Sequence, residues 1–136
     1  MTNSTLFCTV GTTSFPFLTK LVSTPSFLTY CNSLHFEVIT IQYGRGDDPL
    51  TPYLNVSNPL VNEFRNDNTK IEQQENEEGY STTLLLTFRK STRSSSTSST
   101  KQTATRKMLV RSFQFSPSLL QFVRGASHIV CHGGAG

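Results

Sequence analysis

Two glycine-containing loops hold the residues best suited to chemistry. Gly11-Thr12-Thr13-Ser14 follows the apolar run Leu6-Phe7-Cys8-Thr9-Val10. Gly133-Gly134-Ala135-Gly136 follows Ser127-His128-Ile129-Val130-Cys131, with His132 between them. A glycine loop at the carboxyl end of a buried strand presents backbone N–H groups to an anion with no side chain in the way, and a diphosphate is the natural guest. Neither loop is a full G-x-G-x-x-G or a Walker A, so a tight turn needing positive φ accounts for the pattern equally well. His132 can exchange a proton near neutral pH or hydrogen-bond a phosphate or sugar hydroxyl; the plainer reading is a strand-end histidine capping backbone groups. Arg45, set between Gly44 and Gly46, either forks onto a phosphate or stands as a solvated turn residue. His35 and His128 read as structural.

These loops need strands and helices to position them. Residues 6–10 are too continuously apolar for a half-exposed strand and suit one buried on both faces. Gly11 stops that strand, Thr12, Thr13 and Ser14 are turn and cap types, and Pro16 fits the first turn of a helix. Phe17, Leu18, Leu21 and Val22 fall on one helical face, Pro25 breaks the helix, and Phe27, Leu28, Cys31 and Leu34 predict a second stripe. Residues 36–43 are β-branched and aromatic, which completes a βαβ unit with a parallel pair and an expected right-handed crossover. Residues 108–115 alternate as a strand. Ser116-Pro117 opens a helix with Leu119, Leu120 and Val123 on one face and Gly125 as its C-cap, and residues 127–131 form a short buried strand.

The composition sets bounds on everything else. With 136 residues and 35% apolar side chains the chain supports one modest domain, not a large enzyme. No apolar run reaches the ~20 residues of a membrane span, and the first ten residues lack a signal peptide's basic start and long apolar stretch, so a cytosolic or nuclear protein is expected. The net charge of +3 hides a division: residues 1–78 hold all nine acids and four bases, residues 79–136 eight bases and no acid. Residues 63–78 hold six acids, and residues 91–105 contain eleven Ser or Thr. Residues 47–107 therefore read as a low-complexity, mostly disordered insert, in which residues 80–88 form a possible strand. It separates two parts of one domain, residues 1–46 and 108–136. The basic tract lacks interleaved aromatics and any nucleic-acid-binding signature, so no nucleic-acid partner is expected. Cys8, Cys31 and Cys131 form no C-x-x-C pair and read as buried small apolar residues, with no metal site.

Four blocks carry a family resemblance. Phe7-Cys8-Thr9-Val10-Gly11-Thr12-Thr13-Ser14-Phe15 resembles the amino-terminal F-V-T-V-G-T-T-x-F signature of the soluble subunit of the eukaryotic UDP-N-acetylglucosamine transferase that extends dolichol-linked sugar in N-linked glycosylation. Ile41-Gln42-Tyr43-Gly44-Arg45-Gly46 is similar to that family's I-Q-x-G-R-G, residues 113–120 to its aromatic strand and S-L helix, and residues 126–136 to its A-D-x-V-I-S-H-A-G-A-G. The order and spacing of the blocks is more specific than any single loop.

The resemblance implies an α/β, Rossmann-like parallel sheet, a partial GT-B donor-binding domain of the family-28 carboxyl-terminal kind. Its acceptor half is a separate membrane-anchored subunit, and the pair works on the cytosolic face of the endoplasmic reticulum. The implied reaction moves N-acetylglucosamine from UDP to N-acetylglucosaminyl-diphosphodolichol with inversion, joining the sugars β1,4, with no metal or other cofactor. By motif position Gly11, Thr12 and Thr13 would line the intersubunit cleft, and His132, Gly133, Gly134 and Gly136 would face the donor diphosphate. Arg45 is a further donor-binding candidate, and His132 a weak catalytic one; no general base is identified. Ser127 and Cys131 stand where the family has Asp and Ser, and Gly133 replaces Ala. The chain ends on a loop that ordinarily opens a helix, so it reads as truncated, and the 136 residues alone are expected to be inactive. The rival readings are a non-catalytic short form that only docks the membrane subunit, and another nucleotide-binding α/β protein.

Overall fold

The computed structural model describes residues 4–91 and 103–131. In chain order the elements are β1 (Thr5–Thr9), α1 (Pro16–Leu21), α2 (Pro25–Ser33), β2 (Val38–Gln42), a 3-10 turn (Thr51–Leu54), α3 (Pro59–Asn66), β3 (Thr69–Gln73), β4 (Thr82–Ser91), β5 (Thr103–Phe113), α4 (Leu120–Gly125) and β6 (His128–Cys131). The six strands form one sheet in the order β3-β4-β5-β2-β1-β6.

The fold is α/β, consistent with a Rossmann-like arrangement, and the sheet is mixed. The neighbours β6, β1, β2 and β5 run parallel, as the βαβ reading of residues 5–42 expects. Strands β3 and β4 pair antiparallel with each other and with β5, which corrects the expectation of a wholly parallel sheet. The physical reason is connection length: the link between β3 and β4 spans only residues 74–81, too short for the crossover of about a dozen residues or more that parallel neighbours need.

The same region overturns the disordered insert. Residues 47–91 fold, with α3, β3 and β4 building one border of the domain; residues 92–102 lie outside the described residues. Pro52 and Pro59 in this stretch are helix starts, in the first turns of the 3-10 turn and of α3. The Asn58 side chain caps α3 by accepting from Leu60 N at 3.0 Å. The acids face water: Glu63, Asp67, Glu75, Glu77 and Glu78 are exposed, while Val61 and Phe64 turn inward. The strand anticipated over residues 80–88 is present as β4.

One face of the sheet makes the core. Leu6, Cys8, Ile39, Ile41, Leu84, Leu86, Met108 and Val110 pack against Leu28 and Cys31 of α2 and Val61 and Phe64 of α3. Alternation sends Phe7 and Phe113 to the other face, where Phe122 of α4 stacks on both, at 5.4 and 4.5 Å between centroids. Tyr80 meets this stack edge-on, and the Arg111 guanidinium lies 4.5 Å from the Tyr80 ring.

Several details depart from the helical and strand stripes. In α1 Thr19 is buried and Leu18 partly covered, and Val22 just after the helix is buried, whereas Phe17 is 75% exposed and Leu21 is also exposed. The apolar stripe drawn for this six-residue helix is therefore half covered, by way of Leu18 and Val22. Leu34 is exposed beyond the end of α2. In α4 the residue that packs is Phe122; Leu120 and Val123 are exposed. Strand β6 lies at the sheet border, so it is largely exposed instead of buried, and Cys131 is exposed with it, unlike Cys8 and Cys31.

Candidate functional site

Where β1, β2 and β5 end, their loops meet at the carboxyl edge of the parallel strands, the edge at which open α/β sheets bind ligands. Gly11 takes φ +68° and Gly44 φ +63°, a backbone region that glycine enters without a Cβ penalty. At Gly44 the requirement is also spatial. A Cβ there would lie 2.1 Å from Thr13 O and 2.9 Å from Gly11 O. The two loops therefore touch backbone to backbone, and Arg45 N donates to Thr13 O at 3.2 Å. Tyr43 N and Gly44 N donate in turn to Phe113 O and Gln114 O, tying in the end of β5.

A residue that sequence reasoning passed over organises this edge. Gln42, the last residue of β2, is 2% exposed. Its Oε1 accepts from Thr9 Oγ1 (2.5 Å), Val10 N (3.1 Å) and Gly11 N (2.9 Å). Its Nε2 donates to Gly11 O and Gln114 O, both at 2.7 Å. One buried carboxamide thus joins the loop ends of three strands. The available signal was a lone amide closing the run Phe36-Glu37-Val38-Ile39-Thr40-Ile41 at a position where only a satisfied polar group can be buried.

Asp48 is the second residue missed. Its Oδ1 accepts from Leu50 N at 3.0 Å and Ser112 Oγ at 2.7 Å, and its Oδ2 from Thr82 Oγ1 at 2.6 Å. The segment after Gly46 is thereby fixed across β4 and β5.

The anticipated residues divide into three groups. Gly11 turns the loop, but its N–H points inward to Gln42 Oε1, and the Thr13 hydroxyl donates to Val10 O at 2.9 Å. Thr12, Ser14 and Arg45 are exposed at the same edge. His132, Gly133, Gly134 and Gly136 lie outside the described residues; Cys131, the last described, stands opposite Thr9 in the β1–β6 register.

The buried Cys8, Cys31 and Tyr53 are held in their neutral forms and are not activated nucleophiles. Burial, and then nearby Cys131, push the Cys8 thiol up to about 12, and burial pushes Cys31 up to about 11. Burial also raises Tyr53, whose hydroxyl donates to Ser23 O. Among the described residues no three His, Cys, Asp or Glu side chains gather as a metal site, and no helix is long and apolar enough to cross a membrane. What the edge can do is bind: a rigid loop pair, exposed hydroxyls and a guanidinium suit an anionic or sugar-bearing ligand. Beside the loop, Phe15, Phe17 and Leu21 are exposed.

No family model, curated protein or solved structure matches this chain.

Proposed function

We propose that this chain is the donor-binding subunit of a UDP-N-acetylglucosamine transferase that adds the second, β1,4-linked N-acetylglucosamine to N-acetylglucosaminyl-diphosphodolichol. The observation that carries the reading is the junction of Gly11-Thr12-Thr13 with Gly44-Arg45-Gly46, two motif segments that resemble the family and that lock together through Gln42 and the Gly44 approach. A binding loop built this way costs little reorganisation when an anion arrives.

In this mechanism the acceptor hydroxyl attacks the anomeric carbon of the donor sugar from the face opposite UDP, and the C–O bond to the diphosphate breaks with inversion. Arg45 and the exposed hydroxyls of Thr12 and Ser14 supply charge and donors to the leaving diphosphate. The GT-B partner domain and the proton acceptor come from a membrane-anchored subunit at the cytosolic face of the endoplasmic reticulum. Phe15, Phe17 and Leu21 beside the loop provide the apolar surface against which that subunit closes the cleft.

The test is co-purification with the membrane-anchored subunit of the pathway, followed by equilibrium binding of labelled UDP-N-acetylglucosamine to the complex. Binding competed by UDP and weakened about tenfold by Arg45→Gln is the expected result. A complex that neither binds the nucleotide sugar nor transfers it refutes the proposal. Nucleotide-sugar binding without any complex instead favours another nucleotide-binding α/β protein.

A further inference from the structure

A concavity lies toward the other end of the sheet from the glycine loops. Because β4 runs antiparallel to β5, its Thr82 end pairs with Ser112 near the loops described above, and its Arg89 end pairs with Thr105 at the far edge. There β3 begins, with Thr69 opposite Phe88. Between the 3-10 turn, α3, β3 and the end of β4 is an open groove of about 550 Å³. That volume falls within the roughly 300–1,000 Å³ of small-molecule sites.

Its lining has two characters. Leu54, Val56 and Ile71 supply apolar wall, and Val56 is 72% exposed. Arg65, Lys70 and Arg89 supply three cations, and no carboxylate lines the groove. Among the described residues the one ion pair is Lys70 Nζ to Glu72 Oε1 at 2.8 Å, with both side chains well solvated. A pair of that kind is weakly held, so Lys70 can turn to a stronger anion. Arg65 and Arg89 have no carboxylate partner among the described residues. Guanidinium groups are weakly hydrated planar forks that match a phosphate.

We infer that this groove binds a small amphiphilic organic phosphate, its head held by Arg65, Arg89 and Lys70 and its apolar body laid on Leu54, Val56 and Ile71. The site is independent of the proposed transfer reaction and stands or falls separately from it. A free phosphomonoester and the headgroup of an anionic lipid share the head chemistry. The concave shape and limited volume favour the single soluble molecule over a bilayer surface.

The experiment is an amide NMR titration of the full chain with octyl phosphate below its micelle threshold. Parallel arms use inorganic phosphate, the neutral octyl glucoside, and vesicles containing phosphatidic acid. Saturable shifts confined to residues 54–56, 65–71 and 89, with octyl phosphate at least about tenfold tighter than either half-ligand, are expected. The double variant Arg65→Gln, Arg89→Gln changes only exposed side chains and should weaken binding about tenfold or more, with the rest of the spectrum intact. Lys20→Gln, on α1, is the control for general charge attraction and should leave affinity unchanged. Equal affinity for inorganic phosphate or for octyl glucoside, an equal loss in the Lys20→Gln control, or binding seen only with vesicles overturns the inference.

Discussion

Gln42→Leu tests whether one carboxamide holds the loop edge together. Leucine preserves the approximate volume, so the change removes polar bonds with little cavity. Four main-chain partners lose their contact with the side chain: Val10 N, Gly11 N, Gly11 O and Gln114 O. At about 1 kcal/mol net for each hydrogen bond, the loss comes to about 4 kcal/mol. The total stability of a domain this size is on the order of 5–15 kcal/mol, so the variant should remain folded but with a much lower urea midpoint. Gln42→Glu sharpens the argument, because it keeps the shape and the acceptor but replaces the donor that faces two carbonyl oxygens. Burial beside those oxygens raises the carboxyl pKa in the folded state above its unfolded value. The variant's stability should therefore be fullest below about pH 4.3 and decline as pH rises through the raised folded value. Urea unfolding at pH 4.5, 6 and 8, with amide exchange at Gly11 as the local probe, reads both effects. A Gln42→Leu loss under about 1 kcal/mol, with unchanged Gly11 exchange, would refute the claim that this side chain organises the edge.

Further expectations follow from the same geometry. Gly44→Ala should cost about 3 kcal/mol or more, since positive φ alone costs about 1–2 kcal/mol and the Cβ meets Thr13 O at 2.1 Å. Gly125→Ala, at the end of α4 with nothing within 4 Å of its Cβ, should instead stabilise by about 0.4–1 kcal/mol; thermal melts of the two variants give the signs. With Ellman's reagent at pH 8, exposed Cys131 should react quickly while Cys8 and Cys31 react only at the rate of unfolding. Because both buried thiols are raised from 9.0, to about 12 and about 11, their contribution is complete below pH 9 and is lost as pH rises through those values. The melting temperature should accordingly fall between pH 9 and pH 11, and an unchanged melting temperature would contradict the burial.

The parts of the fold that were legible in sequence are those where local chemistry decides. The run Leu6-Phe7-Cys8-Thr9-Val10 and the β-branched run ending at Tyr43 become adjacent parallel strands because residues buried on both faces leave no polar alternation to mislead. Residues 108–113 were likewise marked by alternation, whereas the helix expected to open at Ser116-Pro117 and to be capped by Gly125 starts only at Leu120, has no side-chain cap at Leu119, and keeps Gly125 as its last helical residue with Ala126 as C-cap. What was not legible depends on partners distant in the chain. Strand β3 has a single strongly apolar residue, Ile71, and becomes a strand because β4 offers it a ladder. Gln42 reads as an ordinary polar residue until Gly11 and Gln114 arrive around it from 31 and 72 positions away. The stripe Phe17, Leu18, Leu21 and Val22 was legible only in part: Leu18 and Val22 do face the core, while Phe17 and Leu21 point to water.

The division of charge along the chain also acquires a different meaning in three dimensions. A boundary at residue 78 separates an acidic from a basic sequence, which would suggest two electrostatically distinct pieces. The antiparallel pairing of β3, β4 and β5 folds that boundary into one sheet, so its two sides become neighbours. Within the acidic part, exposed Glu75, Glu77 and Glu78 fall in the link between β3 and β4, near the edge to which Asp48 ties Thr82. Arg65 and Lys70 from the same acidic part lie at the opposite edge, where they join Arg89 from the basic part. Sequence balance predicts repulsion or attraction between halves, whereas the fold interleaves residues of both halves in one sheet. An anion approaching the far groove consequently meets cations from both halves and no lining carboxylate, which is the condition the octyl phosphate titration examines.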